Sequence, residues 1–206
     1  TLRMSAPSQV VAACIDITRE SSAAEMLRLV DKLGGMDIYC HVSGIGAQNP
    51  TLDPAVELRT METNVMGFTR MVTAAYNYFA RQGGGQIAVV TSVAGTRGLG
   101  SATAYSASKR LQNTYLDALS QLSRMRKLRI TFTDIRPGFV ATDLLNKAHH
   151  YPMLMPLQPV ARKVFRAIER RRRRVVIDWR FAVLVFFWRL IPAGLWERMP
   201  VRVIKN

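Results

Sequence analysis

Cysteine is scarce: 206 residues hold two, Cys14 and Cys40, both inside apolar, strand-like runs. Such thiols read as reduced and buried, which points to a cytoplasmic setting rather than an oxidising one. No Cys/His spacing suggests a metal site, and none is expected. No apolar run reaches the roughly 18 residues that a membrane span needs, and no leader peptide is legible. No repeat at a fixed period and no low-complexity segment stands out beyond one run of arginines. Acidic residues are also few. With 14 of them against 29 lysines and arginines, the net charge is +15. That excess suits nucleic acid, anionic lipid or a phosphorylated cofactor, and charge alone does not choose among them.

What is present is a core. At 49% hydrophobic residues, the chain can fold as one sizeable domain. Val10–Ile17 reads as a buried strand ending at an acid. Ser21 or Ser22 caps a helix through Glu25, Leu29 and Leu33 to Gly34-Gly35. Met36–Val42 is the next strand, followed by the loop Ser43-Gly44-Ile45-Gly46. Asp53-Pro54 then opens a helix through Asn64 to about Arg81. Gly83-Gly84-Gly85 ends it. A strand over Gln86–Ser92, a helix from about Ala102 to Lys127 and a strand over Arg129–Ile135 follow. A helix over Leu157–Arg173 and a short strand over Val175–Ile177 complete the pattern. Alternating strands and helices predict an α/β fold, a doubly wound parallel sheet in three α/β/α layers.

One pair of residues carries chemistry. Tyr105 and Lys109 stand four apart at the start of a long helix, so both project from one face, with Cβ atoms about 5–6 Å apart. An ammonium there is expected to pull the phenol below its free pKa of about 10, tuning it for proton transfer near neutrality. Alone, the pair is more often a solvated face. Ser92 changes that reading. It ends the apolar run Val89-Val90-Thr91-Ser92, as a parallel strand ends when it delivers a hydroxyl to a site. Asn64 lies in the preceding helix, and Arg136-Pro137-Gly138-Phe139-Val140-Ala141-Thr142 follows the next strand.

Asn64, Ser92, Tyr105 and Lys109 in this order, followed by Pro-Gly-x-Val-x-Thr, resemble the short-chain dehydrogenase/reductase family. The resemblance runs from about Val10 to about Asp178. It implies a Rossmann-like catalytic domain over residues 1–178, with 179–206 a basic aromatic tail and no separate domain. It implies that Tyr105 is the general acid/base and that Lys109 lowers its pKa and holds the nicotinamide ribose. Ser92 binds the substrate oxygen, and Asn64 belongs to a water-linked proton relay. For the cofactor, NADP or NAD, it implies contacts from Asn64, Tyr105 and Lys109 and from Asp16, Ile17, Gly44, Pro137, Gly138, Val140 and Thr142. The positive charge leans towards NADP.

The chain departs from the family pattern in two places. His41-Val42-Ser43-Gly44 stands where Asn-Asn-Ala-Gly is usual, so His41 is expected to serve as a strand brace rather than in catalysis. The glycine-rich βα turn that cradles pyrophosphate is missing, together with the first two strands. The chain is therefore expected to be an N-terminally incomplete family member. His149 and His150 read as a solvated loop near the substrate.

The tail runs from Arg170–Arg174 into Trp179–Ile191, rich in aromatics and flanked by arginines. It suits packing within the protein or a dimer first, and peripheral contact with a membrane surface second. No nucleic-acid motif accompanies it, and no such partner is expected. Apolar Met61, Val65, Phe68, Val72, Leu111, Leu119 and Leu122 fit helix faces that pair between subunits, so a homodimer or homotetramer is expected. The resulting expectation is an oxidoreductase that moves a hydride between a nicotinamide cofactor and a carbonyl or alcohol, lipid-like in view of the tail. The alternative is a non-catalytic family remnant serving as a membrane-surface or protein-binding scaffold.

Overall fold

The computed structural model describes residues 10–143, 145 and 151–201. Four strands, β1 (Ile38–His41), β2 (Gly85–Val90), β3 (Ile130–Arg136) and β4 (Arg174–Val176), pair in that order and all run parallel. The register sets Cys40 beside Ala88, Ile87 beside Phe132 and Asp134 beside Arg174. Parallel strands covered by helices on both faces must be apolar throughout, and β2 obeys this. Its Ile87 and Val89 enter one core with Phe68, Phe79, Leu116 and Phe132. Ala88 faces the other way, into a second core with Ile135, Val160, Ile177 and Phe181.

The helices form the outer layers. On the first face lie α1 (Ser22–Lys32), α3 (Phe68–Gln82) and α4 (Thr103–Met125); on the second lie α5 (Leu157–Glu169) and α6 (Trp179–Leu190). Asp53 caps the short helix α2 (Pro54–Met61) by accepting from the Ala55 N–H at 2.9 Å, with Pro54 at the first helical position. Between α2 and α3 the helix widens into a π-turn over Glu62–Gly67. A terminal helix, α7 (Ala193–Trp196), follows α6.

Several sequence expectations need correction. Val10–Ile17 is not a strand: it is irregular and exposed from Val11 to Cys14. No strand among the described residues lies beside it, and unpaired backbone groups are better left to water than buried. Cys14 and Cys40 are both exposed, not buried, because the first lies on that segment and the second on the edge strand β1. Phe68, Val72 and Leu119 belong to the core and are not free to pair with another subunit. The helix from Leu157 stops at Glu169, and Arg171 adopts φ 50°, which turns the chain into β4. His149 and His150 lie outside the described residues.

Helix α6, in the tail, packs one side into the second core. Phe181 and Val185 are buried in the second core, whereas Trp179, Phe186, Phe187 and Leu190 on the same helix are exposed. Among the described residues, no helix is long and apolar enough to cross a membrane.

Candidate active site

Ser92 follows β2 and caps a 3₁₀ turn over Val93–Thr96, where its Oγ accepts from the Ala94 N–H at 3.1 Å. That turn presses on α4 at Gly95, where an added Cβ would lie 2.6 Å from the Lys109 carbonyl oxygen. Only glycine permits this approach. It brings the Ser92 hydroxyl close enough to the Tyr105 hydroxyl to lower the phenol's pKa. On the far side, Gly46 abuts the Tyr105 ring, and a Cβ there would come within 2.8 Å of it.

Lys109 is 5% exposed, with its Nζ 5.9 Å from the centre of the Tyr105 ring. The ammonium donates to the Val90 carbonyl at 3.2 Å and to Gln112 Oε1 at 3.1 Å. Asn64 sits in the π-turn, a helix distortion frequent at functional sites. Its side chain exchanges hydrogen bonds with the Ile45 backbone at 2.9 and 2.7 Å and donates to Ser108 Oγ at 3.1 Å. The four residues expected from sequence, Asn64, Ser92, Tyr105 and Lys109, thus stand around one point.

The electrostatics differ from expectation in one respect. Burial raises the Tyr105 pKa above its ordinary value, against the Ser92 hydroxyl, which lowers it. The Lys109 ammonium donates to Val90 and Gln112. Burial brings Lys109 itself down to about 8, with the Asp134 carboxylate acting in the opposite sense. His41 falls to about 4, first through burial and then through the charge of Lys109. It is a neutral core residue, hydrogen-bonded through Nδ1 to the Tyr39 hydroxyl at 2.8 Å.

The remaining expected residues lie after β1, after β3 and on the segment before α1. Gly44 touches the central group: a Cβ there would lie 3.2 Å from Asn64 Oδ1 and 3.4 Å from Lys109 Nζ. Pro137 is tied to the 3₁₀ turn by its carbonyl, which accepts from the Val93 N–H at 3.1 Å. Gly138 packs against the Phe181 ring. Val140 bridges to Met155, and the Thr142 hydroxyl donates to the Val140 carbonyl at 3.3 Å on an exposed loop. Asp16 and Ile17 line an open cleft of about 390 Å³ together with Ile45, Arg59 and Glu62. Arg70 holds that segment by donating to the Ile17 carbonyl at 2.8 Å.

Sequence reasoning missed three features. Gln112 joins Lys109 to Asn64, and its spacing of three from Lys109 was a legible signal. Asp134, wholly buried, accepts from Thr91 Oγ1 at 2.6 Å and from Arg136 Nη2 at 2.5 Å, behind Lys109. Arg97 and Trp188 fasten the tail to the turn that carries Ser92, a long-range contact with no local signature.

Residues 2–151 match the model of the short chain dehydrogenase family. The chain belongs to this family. It is therefore a member of the NAD(P)-dependent oxidoreductases. An uncharacterized oxidoreductase of Myxococcus xanthus (strain DK1622) is 29% identical over 89% of this chain and 73% of its own length. Dehydrogenase/reductase SDR family member 7B of Xenopus tropicalis is 27% identical over 97% of this chain and 68% of its own. The fold is shared with a short chain dehydrogenase/reductase from Burkholderia phymatum solved in complex with NAD. That likeness has a TM-score of 0.80 at 18% identity, covering 100% of this chain and 83% of that one. A Burkholderia cenocepacia short chain dehydrogenase solved with NADP gives a TM-score of 0.76 at 20% identity, covering 91% and 77%.

Proposed function

We propose that this short-chain dehydrogenase/reductase interconverts a carbonyl and an alcohol, with Tyr105 giving and taking the proton at the substrate oxygen. Ser92 donates the second hydrogen bond to that oxygen, where charge develops during reaction. Lys109 supplies positive charge beside the phenol, and Asn64 fixes the loop at Ile45 that closes the site. The observation that carries this reading is the pairing of two hydroxyls, Ser92 and Tyr105, beside a buried ammonium. Burial keeps the phenol protonated near neutral pH, so it stands ready to donate, which favours carbonyl reduction.

The residues fit a nicotinamide cofactor at its ribose end. The Gly44 Cα leaves a cradle next to Lys109 Nζ and Asn64 Oδ1 that any side chain would fill. Tyr105, Lys109, Asn64, Gly44, Pro137, Gly138, Val140 and Thr142 would hold that half, and Asp16 and Ile17, in their separate cleft, the adenine. When bound, the cofactor supplies or takes up the hydride. The charge of +15 supports NADP over NAD.

The substrate is a small molecule of lipid-like character, a reading supported by the apolar tail fastened beside Ser92. The exposed strip of α4 around Ala107, Leu111, Thr114 and Ala118 is the subunit-pairing face of a homodimer or homotetramer. Trp179, Phe186, Phe187 and Leu190, with Arg180 and Arg189 on the same helix, provide peripheral contact with a membrane surface in a cytoplasmic setting. Titrating the full chain with NADPH and NADH, followed by protein fluorescence, tests the reading. Saturable binding, tighter for NADPH, is expected. Binding of neither would leave a family member acting as a scaffold.

A further inference from the structure

Gln112 lies three residues beyond Lys109 on α4, so both side chains leave the same helical face. It is wholly buried, where an amide needs partners at both ends. It has them: Oε1 accepts from Lys109 Nζ at 3.1 Å, and Nε2 donates to the Asn64 carbonyl at 2.9 Å. The π-turn prepares that acceptor. The Phe68 N–H reaches back five residues to the Thr63 carbonyl instead of four to that of Asn64.

We propose that Gln112 is a positioning residue that keeps the Lys109 ammonium charged and aimed, by bridging it to the Asn64 carbonyl with a fixed side-chain amide. This rests on the reading of Lys109 given above. The family resemblance implies a water-linked proton relay that includes Asn64. Here a side chain joins Lys109 to the Asn64 carbonyl, anchored to α4 and held by the π-turn. The amide also keeps its orientation without titrating itself. Around Lys109 stand Tyr105 on its own helix, His41 on β1 and, on β3, Asp134 paired with Arg136. Asp134 favours the ammonium and burial opposes it. The Gln112 oxygen and the Val90 carbonyl are the neutral acceptors that tip this balance towards the charged form.

The chain has six lysines, so the Lys109 side chain can be followed by NMR in lysine-labelled full-length protein without cofactor, with Lys109→Arg as the assignment control. Gln112→Leu keeps the bulk and removes the acceptor. It is expected to lower the Lys109 titration midpoint by about one pH unit. Gln112→Glu is expected to raise it by a similar amount. The alkaline limb of kcat is expected to move with the midpoint in each variant. An unmoved midpoint in Gln112→Leu, or a shift of the same sign in both variants, overturns the proposal. Should Gln112→Leu not fold, Gln112→Glu decides: a raised midpoint supports the bridge and an unmoved one refutes it. Because the titration needs no turnover, its outcome is independent of the role of Tyr105, which turnover measurements test separately.

Discussion

The Phe181 ring occupies the space that a side chain at Gly138 would need. A residue of the tail therefore packs directly on the segment that follows β3, in a core shared with Ala88 and Ile135. Gly138→Ala is expected to force the ring aside and destabilise the fold by about 1–3 kcal/mol, as overpacking does. Denaturant unfolding checks this. The double variant Gly138→Ala/Phe181→Leu, which restores space, should recover part of the loss.

Arg97 closes the end of α6. It donates to the Trp188 carbonyl at 3.2 Å and the Arg189 carbonyl at 3.0 Å, bonds the Ile191 carbonyl, and lies 5.5 Å from the centre of the Trp196 ring. Carbonyls at a helix end run short of helical donors, and of these three the Trp188 carbonyl also accepts from the Ile191 N–H at 3.3 Å. Arg97→Ala is expected to cost about 1–3 kcal/mol, in line with hydrogen bonds to a charged group. Limited proteolysis should then cut first beyond Leu190, while the remaining domain stays resistant.

His41 makes stability depend on acid. Its folded pKa is about 4 against 6.5 for the free group, so the unfolded chain binds more protons between these values. The contribution is fully present above pH 6.5 and is lost as pH falls towards 4. The displacement is worth about 3 kcal/mol. Unfolding free energies from pH 7 to 4 should fall less steeply in His41→Gln than in the parent chain. Equal slopes would show that the ring is protonated in the fold.

Lys109 acts with the same sign at the opposite end of the pH scale. With a folded pKa of about 8 against 10.5, the folded chain binds fewer protons in that window, and stability rises with pH across it. Below pH 8 the buried ammonium opposes folding by about 3 kcal/mol. Lys109→Met is expected to be more stable than the parent at pH 7, to lose the slope between pH 8 and 10.5, and to be inactive. Melting curves of both proteins across that range check the claim.

Much of this was legible in the sequence, for physical reasons. Apolar runs such as Ile87-Ala88-Val89-Val90 must be strands covered on both faces. Asp53-Pro54 and Gly83 punctuate their helices by chemistry that acts over a few residues. Val10–Ile17 misled because its apolar character indicates a strand, whereas a strand also needs a neighbour. Tyr105 misled in a different way. Spacing placed Lys109 on its face but could not show that the ammonium would donate to Val90 and Gln112, or that burial would raise the phenol's pKa. Long-range contacts such as Trp188 Nε1 donating to Thr96 Oγ1 at 2.9 Å join residues 92 positions apart, and no local pattern encodes them.

Turnover of Tyr105→Phe, measured alongside its cofactor affinity, tests the central claim most directly. The substitution removes one oxygen and leaves the ring against Gly46. Turnover is expected to fall by about 10²–10⁴-fold, the usual contribution of a positioned acid or base, with NADPH affinity nearly unchanged. Turnover that survives at the parent rate would contradict the assignment of the proton to this phenol.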